Sequence, residues 1–313
     1  MQLPLFKKSL KLPSLALTMW LVSTSSWAAD ACSSVLVDTK PKRIANGFQY
    51  TEGPAWDPRN ARFVFSDIPA NTIYSITRDG KFSALVKPSG YANGNAFDSV
   101  GNLWSARHDR TIGMTRDGSN AAVAIDTFNG KKLNSPNDLA ISKDGSIWFT
   151  DPPFGIQGYG PVKADEEQAV RGVYRLKDGQ ISLQSGELKL PNGLAFSPNG
   201  RLLYVADTAD GFVYRFNVTA NNQLTDKKAF AKLDSPIGKD PMVDGIRVDS
   251  KGNLWMTGLE SLGVFSAAGD LLCKVSLPGK HVSNFAFGGA DGRDLLITFS
   301  DEVLLLRTRI PGF

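Results

Sequence analysis

Cysteine and histidine are almost missing, with two of each in 313 residues. A cysteine metal knuckle is therefore excluded, because such a site gathers four thiolate or imidazole ligands at close spacing. No Gly-x-Ser-x-Gly elbow, Gly-rich phosphate loop or dinucleotide fingerprint is present, which disfavours serine-based acyl transfer and nucleotide chemistry. A charge excess is lacking too: 35 Lys and Arg stand against 31 Asp and Glu. With no basic patch interleaved with aromatics, nothing points to a nucleic-acid partner.

Apolar runs of membrane-spanning length are also absent. The first residues carry lysines at 7, 8 and 11, a short apolar stretch from Leu12 to Val22 broken by Ser14 and Thr18, and then small residues. This pattern predicts a cleaved export signal over residues 1–29, cut after Ala28 or Ala31, and no stable membrane association. A periplasmic or secreted location follows. Removing 1–29 takes three lysines and no acid, so the net charge of +4 falls to +1. Export permits a disulfide between Cys32 and Cys273. From the sequence, free thiols and a bridge are equally open, and oligomeric state is not readable.

What the chain does have is a repeat. Six copies of one pattern begin EGPAWD at Glu52, NGNAFD at Asn93, NDLAIS at Asn137, NGLAFS at Asn192, DGIRVD at Asp244 and SNFAFG at Ser283, at spacings of 41, 44, 55, 52 and 39 residues. A turn and a second apolar run follow each start: ARFVFSD from Ala61, GNLWSA from Gly101, GSIWFTD from Gly145, GRLLYVAD from Gly200, GNLWMTG from Gly252 and RDLLITF from Arg293. Periods near 40 residues with several short strands per unit read as propeller blades. The predicted fold is all-β: a six-bladed β-propeller with four-stranded blades, a single domain over 30–313. The sixth repeat is short of a final strand, so a strand from the N-terminal segment 33–50, which holds the β-rich run SSVLVD, is expected to close the ring. Closure removes exposed strand edges.

A propeller sets the first strand of every blade against its central channel, so the leading polar residues converge near one mouth. That ring reads Glu52, Asn93, Asn137, Asn192, Asp244 and Ser283. All are oxygen donors and two are carboxylates. Such a set favours one hard divalent cation, Ca²⁺ before Mg²⁺ or Mn²⁺, with Zn²⁺ a further alternative. The competing reading is that Asn or Asp before Gly is turn chemistry. It suffices for Asn93 and Ser283 taken alone, and does not explain Glu52 in the same register as Asp244.

Second-to-third strand connections return to the same mouth. They bring residues 66–71, 105–110, 151–170 and 207–211 beside the ring, as the fourth-to-first connection brings 278–283. Both histidines, His108 and His281, map to that face. The twenty-residue 151–170 excursion suits a lid or substrate wall. Its acidic run Asp165, Glu166, Glu167 reads as solvated surface.

The stretches TEGPAWDPRNARFVFSDIPANTIYSI, SGYANGNAFDSVGNLWSARHD, KKLNSPNDLAISKDGSIWFTDPPFGI, LPNGLAFSPNGRLLYVADT and VDGIRVDSKGNLWMTG resemble the gluconolactonase branch of the senescence-marker-protein/gluconolactonase family, over about residues 45–305. The resemblance implies a propeller with one axial divalent cation, usually Ca²⁺, and hydrolysis of sugar or other lactones. It places the metal ligands on Glu52, Asn192 and Asp244, with Asn137 at or next to both metal and substrate. Two positions depart from the family pattern: Ala106-Arg107-His108 replaces a Cys-Glu-His, and Ser135 stands where sugar-lactone relatives carry arginine.

The expected reaction is metal-assisted opening of a lactone such as glucono-1,5-lactone, with Asp244 the first candidate base and His108 the alternative. Asn137, Asn93 and His281 are the expected substrate contacts. Phosphotriester hydrolysis on the same site is a rival enzyme reading, and a propeller that only binds a protein or glycan is the non-enzymatic one.

Overall fold

In the second and fifth repeats one aspartate locks the turn that follows the first strand. Asp98 Oδ2 accepts from Asn102 Nδ2 at 2.7 Å and from the Trp104 indole at 3.0 Å. Asp249 Oδ2 does the same for Asn253 Nδ2 at 2.8 Å and the Trp255 indole at 3.0 Å. Gly101 and Gly252 both sit at φ +84° within these turns, a conformation open to glycine without steric cost. Each repeat is thereby committed to an antiparallel meander.

The computed structural model describes residues 32–116, 122–235, 239 and 242–313; the signal expected over 1–29 lies outside them. Apart from Cys32, which has helical geometry, the described residues hold one helical turn, the 3-10 helix Gly155–Gln157. Six four-stranded sheets form the six blades of a β-propeller. Their innermost strands are Thr51–Asp57, Ala92–Phe97, Leu139–Ile141, Pro191–Phe196, Ile246–Val248 and Val282–Gly288. Five blades step outward in chain order. In the sixth, the fourth strand is Lys42–Asn46, which pairs antiparallel with Glu302–Arg307, Lys42 opposite Leu305 and Asn46 opposite Glu302.

The strand falls within the expected segment 33–50, though not at its β-rich run. Residues 33–38 form a turn with a single bridge, Leu36 to Thr308. Val35 and Leu36 are instead buried in a cluster with residues of blades five and six, such as Trp255 and Phe285, so their apolar character serves packing rather than a sheet. Cys32 is disulfide-bonded to Cys273 on the outer strand Leu271–Ser276. This bridge spans 241 residues and constrains the unfolded chain, worth roughly 2–5 kcal/mol.

The core lies between neighbouring blades. Trp148 and Val173 of blade three pack with Leu194, Phe196, Leu203 and Phe216 of blade four. Side chains of this size contribute about 1.5–3 kcal/mol each on burial. Blade-to-blade packing holds the inner strands as a rigid ring around the channel.

Candidate active site

The inner strands are modified where the site residues stand. Register shifts fall between Glu52 and Ala55, Ala92 and Asn95, Pro191 and Leu194, and Val282 and Asn284. A bulge leaves a residue unpaired and re-aims its side chain. The glycine after the polar residue serves a second need: a Cβ on Gly193 would stand 2.5 Å from the Asp244 carbonyl, and one on Gly53 would stand 1.8 Å from that of Asn93. Backbone bonds cross at these points, Gly94 N to Asn137 O at 2.8 Å, Gly193 N to Asp244 O at 3.1 Å and Gly245 N to Ser283 O at 2.9 Å. The Asn-Gly and Asp-Gly pairs are therefore seats for the neighbouring blade, not turns.

Glu52, Asn93, Asn137, Asn192 and Asp244 line one cavity of about 290 Å³ together with His108 and His281. Ser283 does not line it; its hydroxyl donates to the Thr51 carbonyl at 2.8 Å and is spent joining blade six to blade one. The cavity also holds Tyr50 and Met242, which sequence reasoning missed, and Phe154 and Tyr159 of the excursion expected as a substrate wall. A register signal was present for two of them: Tyr50 and Met242 each stand two residues before a ring position, as His281 does before Ser283.

Both histidines are locked. His108 Nδ1 lies 2.9 Å from the Tyr159 carbonyl, so it carries the proton and donates. Nε2 then accepts from Asn93 Nδ2 at 3.2 Å. That bond orients the Asn93 amide and leaves its buried Oδ1 without a partner. His281 Nδ1 contacts Tyr50 Oη at 2.7 Å, while its buried Nε2, unpartnered, faces Asp244 Oδ2 at 3.7 Å. Burial pushes both imidazoles down to about 4, so each is neutral at pH 7.

The carboxylates move the other way. Burial lifts Glu52 to about 7 although Gly53 N, at 2.6 Å, and Asn284 Nδ2, at 3.2 Å, donate to its Oε2. Asp244 is raised well above the ordinary range by burial first and by Glu52 second. Among the described residues no three His, Cys, Asp or Glu side chains come together as a ligand cluster. A cation here must therefore also use amide oxygens, and two are available: Asn93 Oδ1 and Asn192 Oδ1 are buried without a hydrogen-bond partner. Two buried carboxylates beside orphaned amide oxygens fit a hard divalent cation and give sulfur-seeking metals nothing.

The 151–170 excursion reaches the cavity through Phe154 and Tyr159. A Cβ on Gly155 would stand 2.8 Å from that of His108, so this glycine lets the loop seat against the histidine. The acidic run Asp165, Glu166, Glu167 is exposed, as expected, and two of its members are paired: Glu166 with Arg171 and Glu167 with Arg110, at 2.7 and 3.0 Å. The Glu167 pair ties the excursion to blade two.

A family model of the SMP-30/gluconolactonase/LRE-like region matches residues 50–301. The chain belongs to this family. A gluconolactonase from Zymomonas mobilis is 33% identical over 298 residues, covering 88% of this chain and 83% of that protein. A 6-deoxy-6-sulfogluconolactonase from Pseudomonas putida is 25% identical, with coverage of 80% and 83%. A solved gluconolactonase from Xanthomonas campestris matches at a TM-score of 0.82 and 34% identity, covering 89% of this chain and 92% of that one. In this member of the SMP-30/gluconolactonase family the two departing positions are committed structurally. Arg107 pairs with Asp109 and packs against Gly90 and Gly113. Ser135 Oγ donates to the Pro152 carbonyl at 2.6 Å and accepts from Gly155 N at 2.8 Å, so it anchors the excursion.

Proposed function

We propose that this chain is an exported lactonase, dependent on a divalent cation, that opens a sugar lactone such as glucono-1,5-lactone to the aldonic acid. One observation carries the reading: Glu52, Asn192 and Asp244 converge with unpartnered amide oxygens in one aromatic-walled cavity. The gluconolactonase relatives support the choice of substrate class. Glu52, Asn192 and Asp244 would hold the cation, with Asn137 beside it; Ca²⁺ suits this oxygen set best, ahead of Mg²⁺, Mn²⁺ and Zn²⁺. When bound, the ion supplies Lewis acidity to the ester carbonyl.

The remaining chemistry belongs to side chains. Water adds to the carbonyl carbon while the Asp244 carboxylate takes its proton. The ring C–O bond then breaks, and the proton returns to the departing alkoxide oxygen. His108 is the weaker candidate base, since Asn93 already occupies its Nε2. Its part is to aim the Asn93 amide. Asn93, Asn137 and His281 face the sugar hydroxyls, and Phe154 and Tyr159 shield the reacting centre from bulk water. The Cys32–Cys273 bridge supports an oxidising compartment, periplasmic or extracellular.

The test is glucono-1,5-lactone hydrolysis by the protein, followed by pH-stat before and after chelation, with each ion restored singly. Turnover that vanishes with chelator and returns with Ca²⁺ is the expected result. Chelator-insensitive turnover removes the cation from the mechanism. No turnover with any ion, alongside cleavage of a fluorophosphate, replaces the lactone with a phosphotriester. Binding of a protein or glycan that survives chelation, without turnover of either substrate, replaces the enzyme with a binding propeller.

A further inference from the structure

The first four residues of the six inner-strand copies read EGPA, NGNA, NDLA, NGLA, DGIR and SNFA. Glycine holds the second position in four copies and alanine the fourth in five. The exceptions are Asp138 and Asn284 at the second and Arg247 at the fourth, in three different blades. These three departures meet. Arg247 Nη1 reaches from blade five to donate to Asp138 Oδ2 at 2.9 Å in blade three. Asn284 Nδ2, from blade six, lies 3.5 Å from the same oxygen and donates to Glu52 Oε2 at 3.2 Å.

The contacts leave little freedom. Asn284 Oδ1 accepts from Phe285 N at 2.9 Å, which settles the amide orientation and points both Nδ2 hydrogens at carboxylates. Asp138 Oδ1 accepts from Leu139 N at 2.9 Å, so Oδ2 is left for Arg247 and Asn284. The Asp138 side chain is 1% exposed, and a carboxylate at that depth requires a counter-charge. The alanine ring gives the guanidinium room to cross. Ala55, Ala96, Ala140, Ala195 and Ala286 line a cavity of about 470 Å³ with Arg247.

We propose that Arg247 is a positioning residue for the cation site: it fixes Asp138, Asp138 fixes Asn284, and Asn284 aims the Glu52 carboxylate. The inference rests on the reading of Glu52 as a cation ligand. Charge and position make opposite forecasts for its removal. A guanidinium repels a nearby cation, so as charge alone its loss tightens binding. As a positioning group its loss weakens binding, by about tenfold or more, the usual cost of removing a partner that orients a ligand.

Ca²⁺ affinity is measured by isothermal titration calorimetry on the full chain, for wild type, Arg247→Met, Arg247→Lys, Asn284→Ala and the double variant Asp138→Asn/Arg247→Met. Folding of each is checked by circular dichroism. Arg247→Met and Asn284→Ala are expected to bind about tenfold more weakly, with Arg247→Lys between them and wild type. The double variant is expected to bind about as weakly as Arg247→Met, because the pair acts as one unit. Equal or tighter binding by folded Arg247→Met overturns the proposal. Should that variant fail to fold, unchanged affinity in Asn284→Ala or in the charge-free double variant overturns it instead. A wild type that binds none of Ca²⁺, Mg²⁺, Mn²⁺ or Zn²⁺ overturns the cation reading itself and this inference with it.

Discussion

Tyr50 Oη lies 2.7 Å from His281 Nδ1, and that contact decides which nitrogen of the ring carries the proton. Burial first, then the charges of Asp244 and Glu52, holds the phenol protonated, so it donates and Nδ1 accepts. The hydrogen is left on Nε2, which faces Asp244 Oδ2 at 3.7 Å. Tyr50→Phe removes the donor and allows the other tautomer, which turns a lone pair toward the carboxylate. We expect kcat to fall about five- to tenfold with KM little changed, the cost of one lost hydrogen bond. An unchanged kcat in a folded Tyr50→Phe protein sinks this role.

Cation binding should release protons. Glu52 holds its proton up to about 7, and Asp244 is also raised, both chiefly by burial. A cation requires both carboxylates ionised, so ion and proton compete. Affinity therefore rises with pH until these groups have lost their protons, and the rise becomes shallower once Glu52 has lost its own. His108 and His281, held to about 4, stay neutral throughout the neutral range and add nothing there. Below about pH 7 the limiting slope is about tenfold in affinity per pH unit for each proton displaced. Calorimetry at about pH 6 in two buffers of different ionisation heat reads this directly. A binding heat independent of buffer contradicts it.

The ring was legible in the sequence because a propeller repeats its register: the first polar residue of each copy marks one level of the channel. That level contains Glu52, Asn93, Asn137, Asn192 and Asp244 in the structure, all on one cavity. The cross-channel contacts were harder to see. Asp138 and Arg247 stand 109 residues apart, and only comparison of the copies at their second and fourth positions marks them as exceptions. Ser283 matched the register yet turned its hydroxyl to Thr51. The N-terminal strand falls inside the expected segment 33–50, but Val35 and Leu36, which have the composition of a strand, lie ahead of it and are buried as packing. Pattern reports which side chains are apolar, not which surface they cover.

Loss of the Cys32–Cys273 bridge should destabilise the propeller without touching its chemistry. The bonded cysteines join the segment ahead of the first strand to the outer strand of blade five. Both sulfurs are buried in the cluster that also holds Val35, Leu36 and Trp255. A Cys32→Ser/Cys273→Ser variant is expected to lose roughly 2–5 kcal/mol in urea unfolding while kcat per folded molecule stays the same. Equal stability of the variant and the oxidised wild type counts against the bridge.

Gly193 separates the two explanations for the glycines of the repeat, turn chemistry and close approach. It lies within the strand Pro191–Phe196 and is not among the glycines at positive φ, so alanine carries no backbone penalty there. The added Cβ, however, stands 2.5 Å from Asp244 O and 2.7 Å from Ile246 N, both backbone atoms that cannot rotate away. Blades four and five must part, which moves Asn192 relative to Asp244. Gly193→Ala is therefore expected to lose about 2–3 kcal/mol of stability, as overpacked sites do, and to bind Ca²⁺ more weakly as well. Both losses must appear together. Normal cation affinity with lowered stability means that the blades yield without disturbing the ligands. Wild-type values for both mean that the close approach at Gly193 does not hold the ring.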